Sequence, residues 1–139
     1  MEWHEHGGML KFKVPYEWTV EDRDGITKIF AANRLVLSIM YESFENEETF
    51  EADCDSLLSR YIRENGIKVK DGVFYKYSSE RKSFSYCDGE DECGAVKVWA
   101  ASYFPIMALG IHHVGENEEY THEAARIMDS IKFKNAYRA

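Results

Sequence analysis

Residues 95–114 read AVKVWAASYFPIMALGIHHV, and Lys97 is their one formal charge. A run of about 20 apolar residues is long enough to cross a bilayer as a helix. Two features argue against that here. Pro105 falls near the middle, where it removes a donor and breaks a helical ladder. The surrounding Val, Trp, Tyr, Phe and Ile side chains favour a pleated surface. The segment therefore reads as two strands meeting at Pro105. In the first, Val96, Val98, Ala100, Ser102 and Phe104 share one face and Ala95, Lys97, Trp99, Ala101 and Tyr103 the other. Both faces are largely apolar, so these strands belong at the centre of a sheet that is covered on both sides.

Working outward, the cover has to come from two amphipathic helices. In residues 47–64, Phe50, Cys54, Leu57, Leu58, Tyr61 and Ile62 recur at helical spacing. Asn46 is placed to cap that helix, Glu47, Glu48 and Glu51 suit its positive end, and Asn65-Gly66 supplies the stop. A second helix opens at residues 116–119, with Asn117 or Thr121 as its cap and Tyr120, Ala124, Ile127, Met128 and Ile131 along one face. Cys54, on the apolar stripe of the first helix, reads as a small buried hydrophobe.

The remaining segments alternate as strands. Residues 9–14 form one that ends at Pro15. Residues 18–22 and 26–32 make a hairpin around Asp24-Gly25, and a reversal at Asn33-Arg34 leads into residues 35–44. There Leu35, Leu37, Ile39 and Tyr41 are expected on one face, with Val36, Ser38, Met40 and Glu42 on the other. Residues 67–69 make a short strand. Residues 73–78 and 82–87 pair across 79–81, and 88–92 form an acidic loop before the central pair. The tail, 132–139, packs one more turn or short strand around Phe133. With no repeat or linker, residues 1–139 are one α+β domain: an antiparallel sheet of roughly six or more strands with two main helices packed on it.

Composition narrows function mainly by exclusion. A net charge of -8 opposes nucleic acid and anionic membrane surfaces. The amino-terminal stretch has neither the basic leader nor the apolar run of a signal peptide, so cytoplasmic residence is expected. Three cysteines suit reduced thiols, although Cys87 and Cys93 flank the acidic loop closely enough to face each other across a hairpin.

Chemistry-bearing patterns are weak. His4 and His6 share a face if the amino terminus is extended, whereas His112 and His113 point to opposite faces, and a zinc site needs four convergent ligands. Counted from Asp88, an EF-hand loop would put Gly and Glu where Cys93 and Trp99 stand. There is no Gly-x-Ser-x-Gly, no cysteine in a nucleophile setting and no phosphate-cradling loop. No catalytic residue, cofactor or metal ligand is therefore expected. The positive feature is a concentration of acid, Glu42, Glu45, Glu47, Glu48, Glu51, Asp53 and Asp55, of which Glu47, Glu48 and Glu51 are the candidates for meeting a basic protein partner. The alternative is a small or hydrophobic ligand held between sheet and helix where Trp99, Tyr103, Met107 and His113 converge.

The opening Phe12-Lys13-Val14-Pro15-Tyr16-Glu17-Trp18 and the closing Ala125-Arg126-Ile127-Met128-Asp129-Ser130-Ile131-Lys132-Phe133 resemble the two ends of PsbP-like domains, the superfamily of a photosystem extrinsic subunit, a Ran-binding import factor and many small bacterial proteins. That resemblance implies an antiparallel sheet between helices and a role in binding or scaffolding rather than catalysis. An immunity protein, or a chaperone for a secreted effector, would be such a module. It gives Phe12, Pro15 and Trp18 structural roles, and it brings no catalytic motif to carry over.

Overall fold

Two tight two-residue hairpins fix the first half of the sheet, one at the predicted Asp24-Gly25 and one at Ala32-Asn33, a residue earlier than the predicted Asn33-Arg34. In the computed structural model, which describes residues 1–72, 74–79 and 82–134 and gives residues 74–79 and 82 by their backbone alone, Asp24 and Gly25 both have positive φ. So do Ala32 and Asn33. Positive φ at both central residues gives the twist that matches paired strands. These turns join β3 (Thr19–Arg23), β4 (Ile26–Ala31) and β5 (Arg34–Ser43). The chain then runs through α1 (Phe50–Glu64), β6 (Lys68–Val69), β7 (Phe74–Ser79), β8 (Lys82–Asp91), β9 (Gly94–Tyr103), β10 (Ile106–His113), α2 (Glu118–Asp129) and β11 (Lys132–Phe133). Strands β3 to β10 pair antiparallel in an eight-stranded sheet ordered β3-β4-β5-β10-β9-β8-β6, with β7 also on β8.

The central segment is the hairpin expected of it. Phe104 and Pro105 make its turn, and Gly110 pairs with Trp99. Its two faces go to two different cores. Trp99, Ala101, Ile106 and Ala108 join one with α2, and Val96, Val98, Ala100, Met107, Leu109 and Ile111 join the other with α1. Gly110 lets α2 come close, because a Cβ there would lie 2.3 Å from Met128 Sδ. No helix among the described residues is long and apolar enough to cross a membrane.

Five expectations need correction. First, residues 9–14 are not part of the main sheet. β2 (Leu10–Val14) pairs with β1 (Glu2–His6) and β11 in a separate three-stranded sheet. Pro15 and the positive φ of Glu17 turn the chain away before β3, and Leu10, Phe12 and Val14 close over the α2 core. Second, Leu35 does not share a face with Leu37. Phe30 pairs with Leu35 and Ile29 with Leu37, so Val36 is an extra residue, a β-bulge that reverses the alternation beyond it.

Third, 88–92 is not a loop. Strand β8 continues to Asp91, and the turn is Glu92-Cys93 alone. Cys87 therefore sits opposite Val98, well back from the exposed Cys93 in the turn, and all three cysteines are free thiols. Fourth, α1 begins at Phe50 with Thr49 at its cap position. Asn46 instead accepts the Glu48 N–H at 2.9 Å, before the helix starts. At α2, by contrast, Asn117 does cap, accepting from the Glu119 N–H at 3.0 Å. Fifth, the histidines are not all superficial, since His6 and His112 are buried. Ser79, expected in a turn, ends β7 opposite Lys82, and the rest of that turn, 80–81, and the tail beyond residue 134 lie outside the described residues.

Candidate functional site

Helix α1 covers the sheet only in part. Phe50, Cys54 and Leu58 bury against β8, β9 and β10, while Leu57, Tyr61 and Ile62 stay half-buried along its margin. Beside that margin no helix among the described residues covers the α1 side of β4 and β5. A hollow of about 190 Å³ opens there between Met40, Leu57, Arg60, Tyr61, Glu64, Met107 and Leu109. A second, of about 240 Å³, shares Met40 and Tyr61 and is lined by Ile26, Lys28, Leu35, Ile111 and His113. The two make one trough along β5, open to solvent and apolar along its floor. The bulge at Val36 contributes directly to it, because it turns Leu35, 47 % exposed, to this side of the sheet.

Charge is distributed unevenly along the trough. At the Leu35 end, His113 Nε2 lies 2.7 Å from Asp91 Oδ2. The Asp91 carboxyl is held below its ordinary value mainly by that hydrogen bond, with the Cys93 and Gly94 N–H groups assisting. Burial first, and then the Asp91 charge, pushes the Tyr61 phenol up. At the other end a shallow third hollow shares Glu42, Leu57 and Arg60 with the first and adds Asp53, Asp55 and Arg63. Partial burial and the neighbouring Glu51 raise the Asp55 carboxyl. The Cys54 thiol is pushed up to about 12 by burial and by Asp55, Asp53 and Glu51. A thiol so far from ionising is a packing residue rather than a nucleophile.

Glu47, Glu48 and Glu51 are exposed where β5 hands over to α1, beside this acidic end. The second set of candidates does not converge. Trp99 and Tyr103 belong to the α2 face of the sheet and Met107 to the α1 face. His113 lines the trough at its far end from Met107, so the four cannot enclose one ligand. Sequence reasoning missed Met40, Leu57, Tyr61 and Leu109 as a group. Two signals bear on them: Met40 is an apolar residue between Ser38 and Glu42 on one side of β5, and the α1 stripe is wider than one contact with a sheet requires.

The buried histidines serve packing. His112 Nδ1 donates to the Val36 carbonyl at 2.7 Å, so Nε2 accepts from Thr121 Oγ1 at 2.8 Å. The neutral ring thus ties the bulge to α2, and burial, chiefly, lowers its pKa. His6 stacks on Phe12, with ring centroids 5.0 Å apart, and Nδ1 bonds the Asp22 carboxylate, which also accepts from Thr27 Oγ1 at 2.7 Å. His6 Nε2 is sealed from solvent without a hydrogen-bond partner among the described residues. An imidazole whose second nitrogen is closed off has no access to a substrate, and the pair instead fastens β1 to β3.

No protein-family model matches the chain, and no curated protein matches it.

Proposed function

We propose that the protein is a non-enzymatic binding module, an adaptor whose trough beside α1 takes a short segment of a partner protein carrying an apolar and a basic residue. The observation that carries this reading is the combination of an open apolar floor with a largely acidic end. Met40 and Met107 supply adaptable side chains. Glu42, Asp53 and Asp55 outnumber Arg60 and Arg63 at the end that Glu47, Glu48 and Glu51 adjoin. The Asp55 carboxyl, raised first by partial burial and then by the Glu51 charge, would be favoured in its ionised form by a docked ammonium or guanidinium group. An immunity protein or a chaperone for a secreted effector would use such a trough in this way. The small-ligand reading has lost the convergence it needed.

We read the fold as PsbP-like on two grounds. The antiparallel sheet carries a helix on each face. Residues from both end motifs meet in one core, with Phe12, Ile127, Met128 and Phe133 inside it and Trp18 edge-on to Tyr120 at 5.8 Å.

Selection from a random peptide library tests the function. Enriched peptides should combine an apolar residue with Lys or Arg and should shift the backbone amides of Met40, Tyr61 and Leu109. Glu47→Lys, Glu48→Lys and Glu51→Lys together should weaken their binding, and Leu57→Asp should abolish it with the fold intact by thermal melt. Enrichment indifferent to basic residues, or amide shifts clustered elsewhere, would sink the reading.

A further inference from the structure

The small sheet has an outer face that the trough reading leaves unused. Along β2, Leu10, Phe12 and Val14 point inward and are fully buried, so Lys11 and Lys13 point outward. Trp3 pairs with Lys13 and stands among them, 42 % exposed. The ammonium groups of Lys11, Lys13 and Lys132 lie 4.7, 4.9 and 5.5 Å from its ring centroid. Lys134 follows Lys132 at the margin, with Nζ beside Gly8. A chain of net charge -8 thus gathers lysines around one exposed indole.

One ordinary explanation fails, and a second covers only part of the cluster. Lysines often protect the open edges of sheets, but Lys11 and Lys13 lie on the central strand of this one. Cross-strand pairing accounts for part of the cluster, because Glu5 on β1 stands opposite Lys11, but Lys132 stands opposite Lys11 from β11, and three lysines against one glutamate leave the face net positive. The face keeps a local positive field on an otherwise acidic chain, and that points to an anionic partner.

We propose that this face, Trp3 with Lys11, Lys13 and Lys132, docks an extended acidic segment of a second protein, with carboxylates at alternate residues and a side chain resting on the indole. The spacing decides the pattern. Lys11 and Lys13 are two residues apart on one strand, so a segment lying along β2 repeats their separation at every second residue. The size of the patch decides the class of partner. The three strands span roughly 10–15 Å across. A nucleic acid running beyond that distance, a little more than the ~8 Å Debye length, meets an acidic surface, whereas a short segment does not. The small sheet and the trough lie on opposite sides of the large sheet. The module therefore offers a basic and an acidic surface back to back, and each is tested separately.

A synthetic peptide of alternating glutamate and serine, titrated against the whole protein by anisotropy and by Trp3 fluorescence, is the probe. Binding should weaken as salt rises. Lys13→Glu with Lys132→Glu should lower affinity by about tenfold or more, and Lys68→Glu with Lys70→Glu, an equal change in net charge elsewhere, by less than about twofold. Lys13→Gln with Lys132→Gln should show a smaller loss at an unchanged melting temperature, separating binding from folding. No binding at low salt, equal losses in both pairs of reversals, or tighter binding of an oligothymidylate of equal charge through the same lysines would each overturn the proposal.

Discussion

The two faces of the large sheet share every strand yet are finished differently. The α2 face is closed twice, by α2 over the central strands and by the small sheet, whose Leu10, Phe12 and Val14 are fully buried. The α1 face is closed by one helix over β8, β9 and β10, and Met40 and Leu35 of β5 remain beside it. The cause is visible in the strands. On β4, Ile29 and Ala31 bury toward α2, while Ile26 and Lys28 on the other side do not. β10 is buried almost throughout, and only that kind of strand needs a cover on each side. One sheet can therefore be rigid through one face and receptive through the other.

The sharpest way to break this comparison is to damage the closed face. Trp99 is 3 % exposed in the α2 core. Trp99→Ala should lower stability by about 3 to 5 kcal/mol, the cost of deleting a core aromatic that its neighbours cannot replace. Denaturant unfolding measures it. A change within experimental error would mean the α2 face is not closed around that ring.

How far the sequence reveals each face follows from the same contrast. Apolar strands 95–104 and 106–114, and helices with a clear stripe, are legible because burial on two sides leaves little choice of residue. The closing of the α2 core by a second sheet is not, since β1 reads EWHEH and its inward residues are His4 and His6 rather than hydrophobes. Phe12 supplies the stacking surface and Asp22 the acceptor that make a buried histidine there tolerable, and neither adjoins β1 in sequence. The trough was missed for a related reason. It depends on an inserted residue, Val36, and a bulge that reverses one leucine leaves no mark on local composition.

The His6–Asp22 fastening sharpens the comparison through pH. Burial alone would raise the Asp22 carboxyl, but hydrogen bonds from His6 and Thr27, and the charge of His6, outweigh it and hold the group below 3.8. A carboxyl depressed by folding adds stability above its unfolded value, and the addition is lost as pH falls through the folded value. Asp22→Asn should therefore be less stable than the parent near neutrality, and the gap should narrow below about pH 3.8. The side chain is 43 % exposed, so solvent screening keeps the gap well under that of Trp99→Ala. Acid unfolding followed by near-UV circular dichroism reads it. A gap that stays constant from pH 6 to pH 3 would remove the fastening from the account.

The smallest effect on stability is the most informative about the open face. Leu35 is 47 % exposed because the bulge at Val36 turns it out of the core, and Leu35→Ser leaves no buried cavity. Its stability should stay within about 0.5 kcal/mol of the parent, as for ordinary surface changes, while affinity for a peptide bound in the trough falls. The two readouts have to separate. A leucine that faced the α2 core, as strict alternation along β5 would have it, would cost several times more on truncation. A large loss of stability would therefore return Leu35 to that core and take away one wall of the trough. Unchanged stability with unchanged affinity would leave the bulge in place but exclude its end of the trough from the contact.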